Sequence, residues 1–254
     1  MTRSPSRLTI LPFALLAVFT VFLAIPATRD AAQWMLAENR PVELLSFVFL
    51  MVGGVLGLRL AAQLRRRGER GWTVAFYALF SLGLLAIGAE EVAWGQWFVG
   101  FETPEAIAEV NTQGELTLHN HKALKDHLEI FPLLFGLAGL VGVWVRRFPG
   151  WSRVAAPAAL LPWFALIAVV SAVDFLQDWV VIQAQFDELV NALDELVEMF
   201  VALAGLLFVR FNAARLLPAT PADAIRQRGA TPEPAGDRWG SIRRPRRGAR
   251  QRVA

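Results

Sequence analysis

The chain has 254 residues, 55% of them hydrophobic and 19% charged, with a mean hydropathy of +0.43, a more apolar profile than that of a soluble domain. It has no cysteine, which excludes disulfides and thiolate metal sites. The formal net charge of +3 and pI of about 10.1 do not signal nucleic-acid binding, because the arginines sit in short loops and a tail between apolar runs.

A run of about 18 apolar residues suffices to cross a hydrocarbon core of about 30 Å. The first run, Leu8 to Ala27, is long for a signal peptide and lacks a clear cleavage site, so it reads as an uncleaved span. The second, Val42 to Ala62, contains Gly53, Gly54 and Gly57, which let a neighbouring helix approach closely. The third runs from Trp72 to the Glu90-Glu91 pair, with helix extended towards Phe98. Thr103-Pro104-Glu105 reads as a helix start, with Thr103 as N-cap and a short interfacial helix to about Val110. The fourth span is Leu128 to Val145. The fifth is Ala155 to Val173, with Pro157 and Pro162 in its first turns, and the sixth is Val190 to Phe211. The expected fold is all-α: a polytopic membrane helix bundle of about six transmembrane helices, with a short interfacial helix between the third and fourth. Residues 1–211 form the membrane-embedded domain. Residues 212–254, rich in arginine and proline and poor in apolar side chains, read as a disordered cytoplasmic tail.

Charge sets the expected orientation. Arg3 and Arg7, then Arg59, Arg65, Arg66, Arg67 and Arg70, then Arg146, Arg147 and Arg153, and finally the tail, fall on one side of a six-span plan. The alternate loops are acidic. Basic loops stay in the cytoplasm, so both termini are expected inside, in a bacterial inner membrane.

Polar residues within spans are costly and face the bundle interior. Counted at about 1.5 Å per residue from Arg210, Glu198 lies about 18 Å along the sixth helix and Glu195 about 22 Å along it. Asp187, Asn191, Asp194, Glu195 and Glu198 recur at helical spacing and form a stripe. Glu91 of the third span, Asp174 and Asp178 of the fifth, and His127 and Glu129 of the fourth fall near the same outer level. All three histidines, His119, His121 and His127, lie within nine residues of one loop. Two readings stand. Glu115, His119 and His121 ligate a divalent metal, with Glu115 and His119 sharing a face if that segment is helical, and Glu91 or Glu195 serving as catalytic base. Alternatively, the loop is a hydrogen-bonded network packed onto the bundle, with Glu90, Trp94, Gln96, Asn111, Gln113, Asn120, Asn191 and Glu198 as its polar members.

The blocks Glu90-Glu91-Val92-Ala93-Trp94-Gly95-Gln96, Thr103-Pro104-Glu105, Asn111-x-Gln113-x-Glu115 and Leu118-His119-Asn120 resemble an uncharacterised family of bacterial multi-pass membrane proteins. The pattern is E-E-x-x-W-G-Q, T-P-E, N-x-Q-x-E and L-H-N. The resemblance covers about 30 residues closely and implies a helix plan but no activity. Ala93 stands where the family commonly has serine, which excludes a serine nucleophile at that position.

Three functions are compatible with these residues: a metal-dependent lipid-modifying hydrolase, an ion-coupled transporter, and a non-catalytic membrane scaffold or sensor. Membrane lipids are the expected partners and nucleic acid is not. No Walker loop, dinucleotide fingerprint or nucleophile elbow is present.

Overall fold

The computed structural model describes residues 5–37, 39–124, 130–177 and 184–217. Among them, five helical stretches are long and apolar enough to cross a membrane: Arg7–Ala24, Pro26–Arg66, Gly71–Glu90, Ile130–Arg147 and Ala158–Leu176. Large apolar side chains point outward along them, with Leu79 69% and Val169 61% exposed. A soluble monomer rarely leaves that much apolar surface uncovered, whereas lipid tails would solvate it.

The first helix, α1 (Pro5–Ala24), ends because Pro26 follows. Ile25, just before that proline, is driven into extended backbone, and Pro26 starts α2 (Pro26–Leu36) at its first position. The Thr28 hydroxyl donates to the Phe22 carbonyl at 2.8 Å and Arg29 Nε to the Leu23 carbonyl at 2.9 Å, which satisfies carbonyls freed at the end of α1. The expected first span is therefore α1 alone, which stops three residues short of Ala27, and a second helix begins at Pro26.

Helix α3 (Pro41–Arg66) and helix α4 (Gly71–Glu90) form an antiparallel pair joined by a short turn. Their approach depends on small residues. A Cβ added at Gly57 would lie 2.0 Å from Ser81 Oγ, and one at Gly54 would lie 3.0 Å from the Ser81 carbonyl oxygen. The long helix α9 (Ala184–Leu216) packs into the same seam: the Cα of Leu206 would lie 3.2 Å from a Cβ at Gly53. Phe208 of α9 sits against Phe76, Tyr77 and Phe80 of α4.

Past Glu91 the chain leaves the helix, so the expected continuation to Phe98 does not occur. Ala93, Trp94 and Gly95 have φ of 46°, 55° and 92°, and no α-helix passes through three such residues. Two four-residue helices follow, α5 (Gln96–Val99) and α6 (Glu105–Ala108). The N-cap of α6 is Pro104 rather than Thr103, whose hydroxyl instead accepts from Gln96 Nε2 at 2.7 Å.

Helix α7 (Ile130–Trp144) runs on through a 3₁₀ turn at Val145–Arg147. Helix α8 (Leu161–Gln177) is preceded by another 3₁₀ turn, Ala158–Leu160. The two pack closely at Gly136, where an added Cβ would meet the Ala168 backbone nitrogen at 2.7 Å. Fully buried Trp163 of α8 donates its indole N–H to the Leu8 carbonyl of α1 at 3.0 Å and sits edge-on to Phe200 of α9. Helix α9 reaches Leu216, so residues 212–216 belong to the helical region; residues 218–254, most of the expected tail, lie outside the described residues.

Candidate functional site

The end of the bundle that carries Glu90 and Glu91 gathers polar groups in two neighbouring arrangements. The first is the loop between α4 and α7. Its frame is a single antiparallel bridge between Asn111 and His121, flanked by backbone bonds from Thr112 N–H to the Asn120 carbonyl and from Lys122 N–H to the Val110 carbonyl, each 2.8 Å. The stretch 111–121 is thus folded back on itself and is not a helix. The expected sharing of one helical face by Glu115 and His119 does not arise.

Amide side chains fill this loop. Asn111, 3% exposed, donates to the Thr117 carbonyl and hydroxyl at 3.0 Å and accepts from the backbone N–H of Gln113 at 2.8 Å and of Glu115 at 3.3 Å. Gln96 ties α5 to the loop. Its Nε2 donates to the Phe101 carbonyl and Thr103 hydroxyl, and its Oε1 accepts from Leu116 N–H at 3.1 Å. Asn120 Nδ2 donates to Gln113 Oε1 at 2.7 Å and lies 3.0 Å from His119 Nε2. With so many donors and acceptors mutually satisfied, the loop needs no regular secondary structure to hold its shape.

Glu90 fastens this loop to the bundle. One carboxylate oxygen accepts the Trp94 indole N–H. The other accepts the backbone N–H groups of Leu118 at 2.6 Å and His119 at 3.3 Å, and lies 3.4 Å from His119 Nδ1. The Trp94 bond also ties down the positive-φ pair Ala93 and Trp94, non-glycine backbone of a kind that costs on the order of 1–3 kcal/mol per residue.

The second arrangement is a carboxylate cluster. Glu91 caps α4 and is only 9% exposed. Within electrostatic reach of it are Glu198 and Glu195 of α9, Glu43 of α3, and Glu90. Burial, reinforced by these four charges, holds Glu91 well above the usual carboxylate range. Glu43 is also buried, while Glu195 is half-buried and Glu198 exposed, so the cluster grades from a closed interior to an open side. Glu43 sits in the first turn of α3 and accepts the backbone N–H of Asn39, a position where the helix dipole favours negative charge. His119 joins the two arrangements. Burial disfavours its charged form, but the Glu90 bond and the charges of Glu198, Glu90 and Glu43 outweigh this and hold its pKa above the ordinary imidazole value.

Glu91, Glu195 and Glu198 therefore share the cluster, and Glu90, Trp94, Gln96, Asn111, Gln113 and Asn120 share the loop network. Glu115 contributes its backbone N–H to Asn111. His121 accepts the Ala123 N–H at Nδ1, away from the Glu90–His119 pair. Among the described residues, no three or more His, Asp or Glu side chains converge in a metal-binding arrangement. The side chains of Asp187 and Asn191, together with His127, Glu129 and Asp178, lie outside the described residues. Glu43 is the member that sequence reasoning missed. Its signal was present in Pro41-Val42-Glu43, a proline at the first helical position with an acid two residues on, but that pattern reads as an ordinary helix start. No family model matches the chain, and neither a curated protein nor a solved structure is significantly similar to it.

Proposed function

We propose that this chain is an ion-coupled membrane carrier whose proton site is the cluster of Glu91, Glu43, Glu195 and Glu198. The observation that carries this reading is buried Glu91 at the meeting of α3, α4 and α9, within electrostatic reach of acids from both partner helices. Acids crowded at a membrane boundary cannot all ionise together, so they take up protons as a group. Such groups mark ion pathways in membrane proteins. Glu198, on the open side, exchanges the ion with the surroundings, and His119 links the cluster to the loop. The metal-dependent hydrolase reading draws on Glu115, His119 and His121, which have separate partners here, so the carrier reading is the better supported.

The reading includes α9 as a sixth span, α6 lying at the interface, both termini in the cytoplasm, and a bacterial inner membrane. The distribution of arginine supports that orientation. Because the chain lacks cysteine, it can be tested with single cysteines at exposed Ala123 and exposed Arg67. An impermeant thiol reagent applied to intact cells should label the first and not the second; the opposite pattern would invert the orientation.

The function is tested in proteoliposomes containing a pH-reporting dye. An imposed proton gradient should drive ion movement with the wild type. Glu91→Gln and Glu198→Gln should each reduce it at least tenfold, while Asn111→Ala should reduce it only as far as it lowers the folded fraction. Ion movement unchanged in both glutamine variants would refute the carrier site.

A further inference from the structure

The opposite end of the bundle holds a feature that the ion site does not use. A half-open cleft of about 410 Å³ lies between the end of α7, the segment leading into α8 and the last turns of α9. Its polar wall is Arg146 and Arg215, and its apolar wall is formed by Ala156, Pro157, Ala158 and Phe211. That volume falls in the range of small-molecule sites.

The two arginines differ from their neighbours. Arg153 is paired with Glu69 at 3.0 Å. Neither Arg146 nor Arg215 has a carboxylate within ion-pair distance among the described residues. One terminal nitrogen of Arg215 donates to Asn212 Oδ1 at 2.6 Å and to the Arg153 and Ala155 carbonyls at 3.4 Å, and the Tyr77 hydroxyl is a further hydrogen-bonding neighbour of the guanidinium. Fully buried Asn212 fixes that geometry from inside α9. A guanidinium has five N–H donors, more than these four acceptors take up. Arg146 is exposed and brings a second positive charge to the same cleft.

Depth is set by aromatic residues. Trp72 and Trp151 meet edge to face at 5.7 Å, and Arg147 lies 5.5 Å over the Trp144 ring, all at this end of the helices. Tryptophan and arginine in this mixture belong at headgroup level. A free anion would have no use for Phe211 and the alanine–proline wall, whereas a molecule with a phosphate and an adjoining apolar chain would use both sides.

We propose that this cleft binds the phosphate headgroup of an anionic phospholipid, with Arg146 and Arg215 on the phosphate and the start of the lipid chains against Phe211 and Pro157. Basic pockets between transmembrane helices recognise anionic headgroups in this way. The site is independent of the carboxylate cluster and of any activity there.

The test is native mass spectrometry of the full chain released from detergent with phosphatidylglycerol, phosphatidylcholine or inorganic phosphate added. The wild type should retain phosphatidylglycerol in preference to phosphatidylcholine. Arg146→Gln, which breaks no side-chain bond among the described residues, should weaken retention about fivefold, as expected for one charge near the headgroups. Ala158→Trp, which fills the cleft without changing charge, should weaken it at least as much, and Arg66→Gln, an exposed arginine at the end of α3, should leave it unchanged. Equal retention of phosphatidylcholine, equal loss in Arg66→Gln and Arg146→Gln, or displacement of the lipid by millimolar inorganic phosphate would each overturn the proposal.

Discussion

Glu90 and Glu91 are neighbours in the chain and belong to different parts of the molecule. Glu90 turns towards the loop and is consumed by it: four N–H groups, from Trp94, Leu118 and His119, converge on its two oxygens. Glu91 turns inward, where its surroundings are other acids. In the loop, amide, hydroxyl and backbone groups answer one another, and the one carboxylate that enters it, Glu90, is met by N–H donors. In the cluster, acids are held together, an arrangement that opposes folding unless protons are bound. The lesson is that polarity near a membrane surface carries two meanings, and side-chain partners separate them where sequence proximity does not.

That contrast is most exposed to Glu90→Ala. Hydrogen bonds to charged groups contribute about 1.5–3 kcal/mol each, and several are lost here, so a destabilisation of about 3 kcal/mol or more is expected. It should appear as a lowered thermal midpoint and as faster amide hydrogen exchange at Leu118 and His119. Glu91→Gln should do the reverse, leaving the midpoint unchanged or higher because it removes a buried acid from a crowd of acids. If both substitutions destabilised equally, the division between loop and cluster would fail.

Asn111→Ala comes next. It strands two backbone N–H donors and the Thr117 carbonyl in a buried place, for a cost of about 2 kcal/mol. Thermal unfolding in detergent measures it, and a change below a few tenths of a kcal/mol would show that the loop does not depend on its amides. Gly57→Ala should cost about 1–2 kcal/mol, because its Cβ would overlap Ser81 Oγ and press α3 away from α4. It shifts Glu43 relative to Glu91 and leaves the loop bonds alone, so it should alter ion coupling while sparing hydrogen exchange in residues 111–121.

The last effect is on pH dependence. Glu91 has its pKa raised by folding, so the native state keeps a proton that the unfolded chain releases above the ordinary carboxylate range. Native protein then binds more protons than unfolded protein, and stability falls as pH rises from about 4.3 towards neutrality. The stabilisation from His119, also raised, is present in acid and is lost as pH rises through its folded value. Glu91→Gln should flatten the first part of this slope, so its advantage in thermal midpoint over the wild type should grow between pH 5 and pH 7. A constant difference across that interval would show that Glu91 titrates as an ordinary carboxylate.

Much of the helical plan was legible because lipid imposes a simple rule, long apolar runs, and α3, α4, α7 and α8 follow it. The break at Ile25–Pro26 was hidden by hydropathy, which is blind to the backbone constraint that a proline places on the residue before it. The turn at Ala93-Trp94-Gly95 was hidden because two of its three positive-φ residues are not glycine and only the Glu90–Trp94 bond accounts for them. The polar blocks of the loop were conspicuous as composition, and Glu91 and Glu195 were assigned to one outer level by helical rise alone, with Glu198 deeper on the same helix as Glu195. What could not be read was direction. Rise places a residue along an axis and says nothing about whether Glu90 or Glu91 faces the loop, or that Glu43, some fifty residues earlier, joins them.

The central claim is that Glu91 holds a proton within an acidic cluster while Glu90 is a charged structural anchor. Infrared difference spectroscopy of the purified protein reports protonated carboxyl groups directly. The account predicts a protonated carboxylic acid band at neutral pH in the wild type that disappears in Glu91→Gln and persists in Glu90→Gln. A wild-type spectrum without that band, or one in which Glu90→Gln removes it and Glu91→Gln does not, would contradict the account.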